Sequence, residues 1–66
     1  MILIINGEKY SFNKSFNVSE LVEKLELDVE KIAIELNLEV VPFSEYSQTI
    51  LKDGDKLEII HFIGGG

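Results

Sequence analysis

The chain has 66 residues, a hydrophobic fraction of 45% and no cysteine. This length leaves room for one domain, and the share of apolar residues indicates a packed core rather than a disordered segment. The formal net charge is −6, from 12 acidic and 6 basic side chains, which disfavours binding to nucleic acid or to anionic lipid. The lack of cysteine excludes disulfides, thiolate zinc sites and cysteine nucleophiles.

The longest apolar run, residues 1–5, is far shorter than the roughly 20 residues that span a bilayer, and no basic region precedes it. We therefore expect a cytoplasmic protein that does not associate with membranes.

The first residues predict a β-hairpin. Residues 1–5 are rich in β-branched side chains, and Asn6-Gly7 is the dipeptide that best tolerates the positive φ angles of a tight turn. In the returning strand, residues 8–12, Tyr10 and Phe12 alternate with polar residues and should share one face.

The spacing of apolar residues then changes to the 3.6-residue period of a helix, which is predicted over residues 18–26. Its apolar stripe consists of Val18, Leu21, Val22 and Leu25. Asn17 is suited to cap this helix, Glu20 completes a capping box, and Phe16 and Leu21 occupy the positions of a hydrophobic staple.

In residues 31–36 apolar side chains alternate with others, which predicts a third strand with one buried face. Asn37 is predicted to turn the chain. A short returning segment at residues 38–41 then ends at Pro42, which lacks the N–H needed for strand pairing. Residues 43–47 are ambiguous, and one interpretation is a single helical turn capped by Ser44. Residues 48–51 are predicted as a short strand.

A polar turn at residues 52–56, centred on Gly54, precedes the last predicted strand, residues 57–63. This strand is apolar on nearly both faces, like residues 1–5, so the two are expected to be central neighbours that pair in parallel. The predicted fold is α+β: a β-grasp, or ubiquitin-like, fold with a mixed sheet of four to five strands and one main helix packed on one face.

Three glycines, Gly64, Gly65 and Gly66, follow the last strand, so we divide the chain into a body at 1–63 and a flexible tail at 64–66. A frayed terminus is the alternative interpretation. A tail without side chains is suited to thread a narrow channel and deliver the α-carboxylate of Gly66 to a partner's active site. That carboxylate would first need activation, for example as an acyl-adenylate.

No enzyme signature is present in the sequence. The three glycines do not form a P-loop, and His61, the single histidine, lacks the neighbours of a triad or a metal site. We predict no catalytic residue, no metal and no cofactor. Because one helix covers one face of so small a sheet, Ile60 and Phe62 are expected, with Ile2 and Ile4, to form an exposed apolar partner surface.

Four segments resemble the ThiS family: Ile5-Asn6-Gly7, Ile34-Glu35-Leu36-Asn37 before Val41-Pro42, Lys52-Asp53-Gly54-Asp55, and Ile59-Ile60-His61-Phe62-Ile63-Gly64-Gly65-Gly66. The resemblance covers the whole chain, and the terminal run is its most specific part.

Resemblance to ThiS implies a sulfur carrier for the thiazole half of thiamine, a co-substrate rather than an enzyme. An E1-like adenylyltransferase of the ThiF type would adenylate Gly66 with its own ATP, and a sulfur-donating enzyme would help convert it to a thiocarboxylate. Thiazole synthase, ThiG, would then accept the sulfur. Gly64 and Gly65 would form the threading arm, and Ile60, His61 and Phe62 would contact partners.

Three alternatives remain open from the sequence. The small subunit of molybdopterin synthase has a similar fold and a Gly-Gly ending, although that family is usually longer. A ubiquitin-like modifier would form isopeptide bonds to lysines. A plain interaction module would carry an inert tail.

Overall fold

The structure, a computed structural model, describes residues 1–62. Within this part, five strands form one mixed sheet beside one α-helix, α1. The strands are β1 (Ile2–Ile5), β2 (Glu8–Ser11), β3 (Ile32–Leu36), β4 (Glu39–Val41) and β5 (Lys56–His61), and α1 covers Val18–Lys24. The order across the sheet is β2-β1-β5-β3-β4, so β5 is the central strand.

The predicted hairpin and the predicted parallel pair are both confirmed. β1 pairs with β2 in antiparallel register, and Asn6 and Gly7 turn the chain with φ angles of 50° and 81°. β1 pairs with β5 in parallel, with Ile4 beside Lys56 and Ile5 beside Leu57. The first and last strands of the described chain therefore lie side by side.

Helix α1 begins where the sequence predicts. The side chain of Asn17 accepts a hydrogen bond from the Glu20 N–H at 2.8 Å, and Glu20 accepts one from the Asn17 N–H at 3.0 Å, which forms the capping box. The helix ends at Lys24, two residues before the predicted end, because Leu25 caps it and Glu26 adopts a φ of 55°.

Two predictions in the second half of the chain are wrong. Residues 48–51 form no strand, since Ile50 makes only an isolated β-bridge, to Asn17, outside the five strands of the sheet. A 3₁₀ helix covers Phe43–Gln48, but Pro42 precedes it without a side-chain hydrogen bond, so Ser44 is not its cap. A second 3₁₀ helix, Val29–Lys31, leads into β3.

The last strand is buried on one face only and ends before the predicted residue 63. β5 covers Lys56–His61, and only Leu57 and Ile59 are buried in it, because α1 packs against one face of the sheet. Ile63, which was predicted to belong to this strand, lies outside the described residues.

The core lies between α1, the 3₁₀ helix at Phe43–Gln48 and one face of the sheet. Leu3, Val18, Leu21, Ile34 and Leu51 are fully buried in it, and Leu57 nearly so. Burial raises the pKa of Tyr46, whose ring meets Phe43 edge to face at 5.4 Å between centroids. Within residues 1–62, no helix has both the length and the apolar character to cross a membrane.

The capping box provides a stability test. We expect Asn17→Ala to lower the free energy of unfolding by about 1 kcal/mol, because it leaves an N–H of the first helical turn without its partner. Urea denaturation followed by circular dichroism measures the change. The control is Asn13→Ala, since Asn13 is exposed and outside any helix or strand. Equal stability of the two variants would contradict this role for Asn17.

Candidate functional site

The residues predicted to contact partners lie together at the end of β5. Ile60 is 45% exposed, Phe62 is 54% exposed, and His61 between them is exposed too. Ile60 pairs with Ala33 of β3, and the Phe62 N–H donates to the Lys31 carbonyl oxygen at 2.8 Å. The main chain at the site is thus fixed by β3, while its side chains remain accessible.

The other predicted site residues are Gly64, Gly65 and Gly66, and these lie outside the described residues. Their assignment as threading arm and reacting position stays a prediction from the sequence. What the structure defines is the strand that precedes them.

Ile60 belongs to a larger apolar surface on the side of the sheet that α1 does not cover. Residues paired across neighbouring strands point to the same face, and alternation along each strand separates this face from the core. We call it the open face; its apolar members are Ile2, Ile4, Ala33, Val40 and Ile60. The predicted exposure is confirmed for Ile2, which is 39% exposed, and for Ile60, whereas Ile4 is half-buried. Val40, which was not predicted to belong to this surface, is 67% exposed.

The open face also carries an unfavourable pair of like charges. Glu35 and Glu58 lie directly opposite each other on β3 and β5, next to the Ala33 and Ile60 pair. Like charges in this position destabilise a sheet. Lys9 and Lys56 both lie beside Ile4, so basic side chains flank the other half of the face.

Sequence reasoning missed the hydrogen-bonding roles of two asparagines. Asn6 and Asn37 were interpreted as turn residues only, and both do adopt φ angles of 50°. In addition, the Asn6 side chain bonds both main-chain groups of Ile59, and the Asn37 side chain accepts from the Lys56 N–H at 3.0 Å. The residue type was the one available signal, because the partners are 53 and 19 residues away.

Among residues 1–62, no group of three or more His, Cys, Asp or Glu side chains is placed to hold a metal ion. The two best-defined surface cavities of this part lie away from the end of β5. The larger, about 370 Å³, is lined by Ser11, Phe12, Asn13, Lys14, Phe16 and Lys24. Neither of these two cavities is lined by a residue at the end of β5.

A mixed sheet with its first and last strands paired in parallel at the centre, one helix on one face and an accessible end of β5 defines a β-grasp, ubiquitin-like protein. The same arrangement is found in the crystal structure of the thiamine biosynthesis protein ThiS from Geobacter metallireducens. That chain superposes with a TM-score of 0.88 at 38% identity, and the match covers all of both chains.

The sequence agrees with this likeness. The model of the ThiS family matches residues 3–66, and the chain belongs to the ThiS family. The sulfur carrier protein ThiS of Bacillus subtilis is 30% identical over 66 residues, covering 98% of this chain and 100% of that protein. A thiazole synthase of Paramagnetospirillum magneticum is 53% identical over the whole chain, which spans 20% of that protein's length.

The opposed glutamates make a stability prediction. We expect Glu58→Gln to raise the free energy of unfolding at pH 7 by a few tenths of a kcal/mol, because it removes the repulsion from Glu35. The gain should shrink in high salt, which screens the charges. Denaturant titrations at two salt concentrations measure both effects. The matched control is Glu39→Gln on β4, where the opposite residue is Leu36; a gain as large there would show that only net charge matters.

Proposed function

We propose that this protein is a sulfur carrier in thiamine biosynthesis, with Gly66 as the reacting residue. The observation that supports it best is the family match through residue 66, which extends over the glycines that follow an accessible strand end. The relative in Bacillus subtilis that is named as a sulfur carrier protein agrees with it. The protein acts as a co-substrate, and its partners contribute the catalytic groups.

The chemistry requires that Gly66 end the chain in the cell. Its carboxylate oxygen attacks the α-phosphorus of ATP, pyrophosphate leaves, and an acyl-adenylate forms. A hydrosulfide ion, delivered by the sulfur donor, then attacks the carbonyl carbon and displaces AMP, which leaves a thiocarboxylate. Glycine is suited to positions 64–66 because a Cβ would obstruct passage through a narrow channel.

Three partners follow from this chemistry. An E1-like adenylyltransferase of the ThiF type binds the ATP and activates Gly66, a sulfur-donating enzyme supplies the sulfur, and a thiazole synthase of the ThiG type accepts it. The last partner has support of its own: in P. magneticum, a segment 53% identical to this chain lies within a protein named as a thiazole synthase.

The open face and the end of β5 are the proposed docking surface. Ile60 and Phe62 offer exposed apolar area directly before the tail, and His61 lies between them. Glu35 and Glu58 favour a partner with basic side chains opposite them, since complementary charges speed association. Such a partner would also relieve the repulsion between the two carboxylates.

Intact-protein mass spectrometry tests the carrier function. We expect the chain, incubated with ATP, a ThiF-type enzyme and a sulfur source, to exchange one oxygen for sulfur, with the change mapped to Gly66. The same measurement on protein isolated from cells shows whether Gly66 is the terminal residue there. A variant lacking Gly65 and Gly66 is the control and should not be loaded.

An unchanged mass of the full chain, under conditions that load a ThiS protein of known activity, would contradict the proposal and favour an interaction module. Lysine-linked conjugates in cell extracts would instead indicate a ubiquitin-like modifier. Loading followed by sulfur transfer in molybdopterin synthesis, and not to thiazole synthase, would indicate that the carrier serves that pathway instead.

The docking surface is tested by a pair of phenylalanines. Phe62→Ala should raise the Kd for the ThiF-type enzyme about tenfold, because an aromatic contact next to the tail is lost. Phe43→Ala should leave the Kd unchanged, since Phe43 is 69% exposed but packs on Tyr46 away from the open face. Isothermal titration calorimetry measures both. Equal affinities for the two variants would show that Phe62 does not belong to the docking surface.

A further inference from the structure

The side chain of Asn6 bonds the main chain of Ile59, 53 residues further along the chain. Its Nδ2 donates to the Ile59 carbonyl oxygen at 3.2 Å, and its Oδ1 accepts from the Ile59 N–H at 2.7 Å. Both bonds are partly shielded from solvent. One amide group thus engages both main-chain hydrogen-bonding groups of a β5 residue, as a strand neighbour would.

The Asn6 side chain continues the hydrogen-bond ladder between β1 and β5 past the point where the main chain of β1 turns away. The Ile4 N–H donates to the Asp55 carbonyl oxygen and the Asn6 N–H to the Leu57 carbonyl oxygen, both at 2.9 Å. Regular parallel pairing would next engage Ile59. At Asn6, however, a φ of 50° turns the chain into the hairpin toward β2. The amide of Asn6 replaces the missing strand at that step.

This bond acts near the end of the strand that leads to the tail. On its other side β5 is held by β3, through the pairs up to His61 and the bond from the Phe62 N–H to the Lys31 carbonyl oxygen. Without Asn6, β5 would be held by main-chain pairing to β1 only as far as Leu57. Asn6 therefore restrains the direction in which β5 leaves the sheet.

We propose that Asn6 is a positioning residue for the loading of Gly66. It acts through Ile59, by holding the end of β5 so that the residues after it enter the partner's channel from a fixed direction. The proposal rests on the carrier function proposed above. Its physical basis is that reaction rates depend steeply on the placement of the reacting group, even when the misplaced element is remote.

The chain contains its own control for this role. Asn37 also has a φ of 50°, lies in the hairpin between β3 and β4, and also bonds β5 through its side chain. Its partners are the Lys56 N–H and the Asp55 carboxylate, at 3.0 and 3.1 Å. The two asparagines match in type, backbone conformation and partner strand, but they hold opposite ends of β5.

The experiment compares Asn6→Gly with Asn37→Gly. Glycine accepts the left-handed conformation, so each substitution removes the amide without straining the turn. Steady-state loading of the carrier by ATP, a ThiF-type enzyme and a sulfur source is measured at a temperature where circular dichroism shows both variants folded. For Asn6→Gly we expect kcat to fall about tenfold with KM nearly unchanged, and Asn37→Gly to load like the unsubstituted chain.

Amide hydrogen exchange gives a second readout that does not depend on loading. Asn6→Gly should accelerate exchange at Ile59 and Phe62, while Asn37→Gly should accelerate it at Lys56 instead. Asn6→Asp is a stricter test, because it keeps the acceptor for the Ile59 N–H and replaces the donor with an oxygen that faces the Ile59 carbonyl. It should also load slowly.

The outcomes separate this proposal from the carrier function. If the unsubstituted chain loads and the two glycine variants lose the same amount of activity, or none, Asn6 is only a structural residue and the positioning role is overturned. If the unsubstituted chain is not loaded at all, the carrier function fails, and the positioning role fails with it.

Discussion

The parallel pairing of β1 with β5 is the contact on which the rest of the structure depends. It joins the two ends of the described chain and places β5 between β1 and β3 at the centre of the sheet. Only two residue pairs define its register. Side chains extend the contact beyond these pairs at both ends. At the start of β1, the Asp53 carboxylate accepts a hydrogen bond from the Ile2 N–H at 2.6 Å. Just after β1, the Asn6 side chain accepts one from the Ile59 N–H.

This short register explains why polar turn residues matter so much in a protein of this size. A domain of about 60 residues buries a smaller fraction of its surface than larger domains do, so its core alone gives little stability. The turn directly before β5 is held to β1 by the Gly54 N–H, which donates to the Ile2 carbonyl oxygen at 2.7 Å. The turn residues therefore add hydrogen bonds that join β1 to β5, and to the turn before it, beyond the two paired positions.

Sequence periodicity predicted the elements whose apolar faces meet the core directly. The hairpin, α1, β3 and the parallel partnership of the first and last strands were all accessible from alternation, helical spacing and capping signals. Residues 48–51 were not, because a run of four residues has no dependable period, and tertiary packing buries Leu51 while leaving Ile50 57% exposed.

The candidate site was predictable in part for a related reason. The exposure of Ile60 and Phe62 was predictable because a single helix can cover only one of the two faces of a sheet. The role of the Asn6 amide was not predictable, because it depends on the register between residues 53 positions apart, and no local pattern encodes that register. Interactions fixed by topology become visible only once the strands are assembled, whereas interactions fixed by local geometry, such as the Asn17 cap, do not need the fold.

The size of the protein also constrains how a carrier of this kind can use its partners. A stable interface covers about 800 Å² on each side, and this chain exposes 4685 Å² in total. Under the proposed chemistry every partner acts on Gly66, so each would use the surface around the end of β5, and the partners would bind in turn. Turnover then favours rapid binding and release over high affinity. A modest apolar patch combined with opposed carboxylates fits that requirement, because charge complementarity raises association rates more than it slows release.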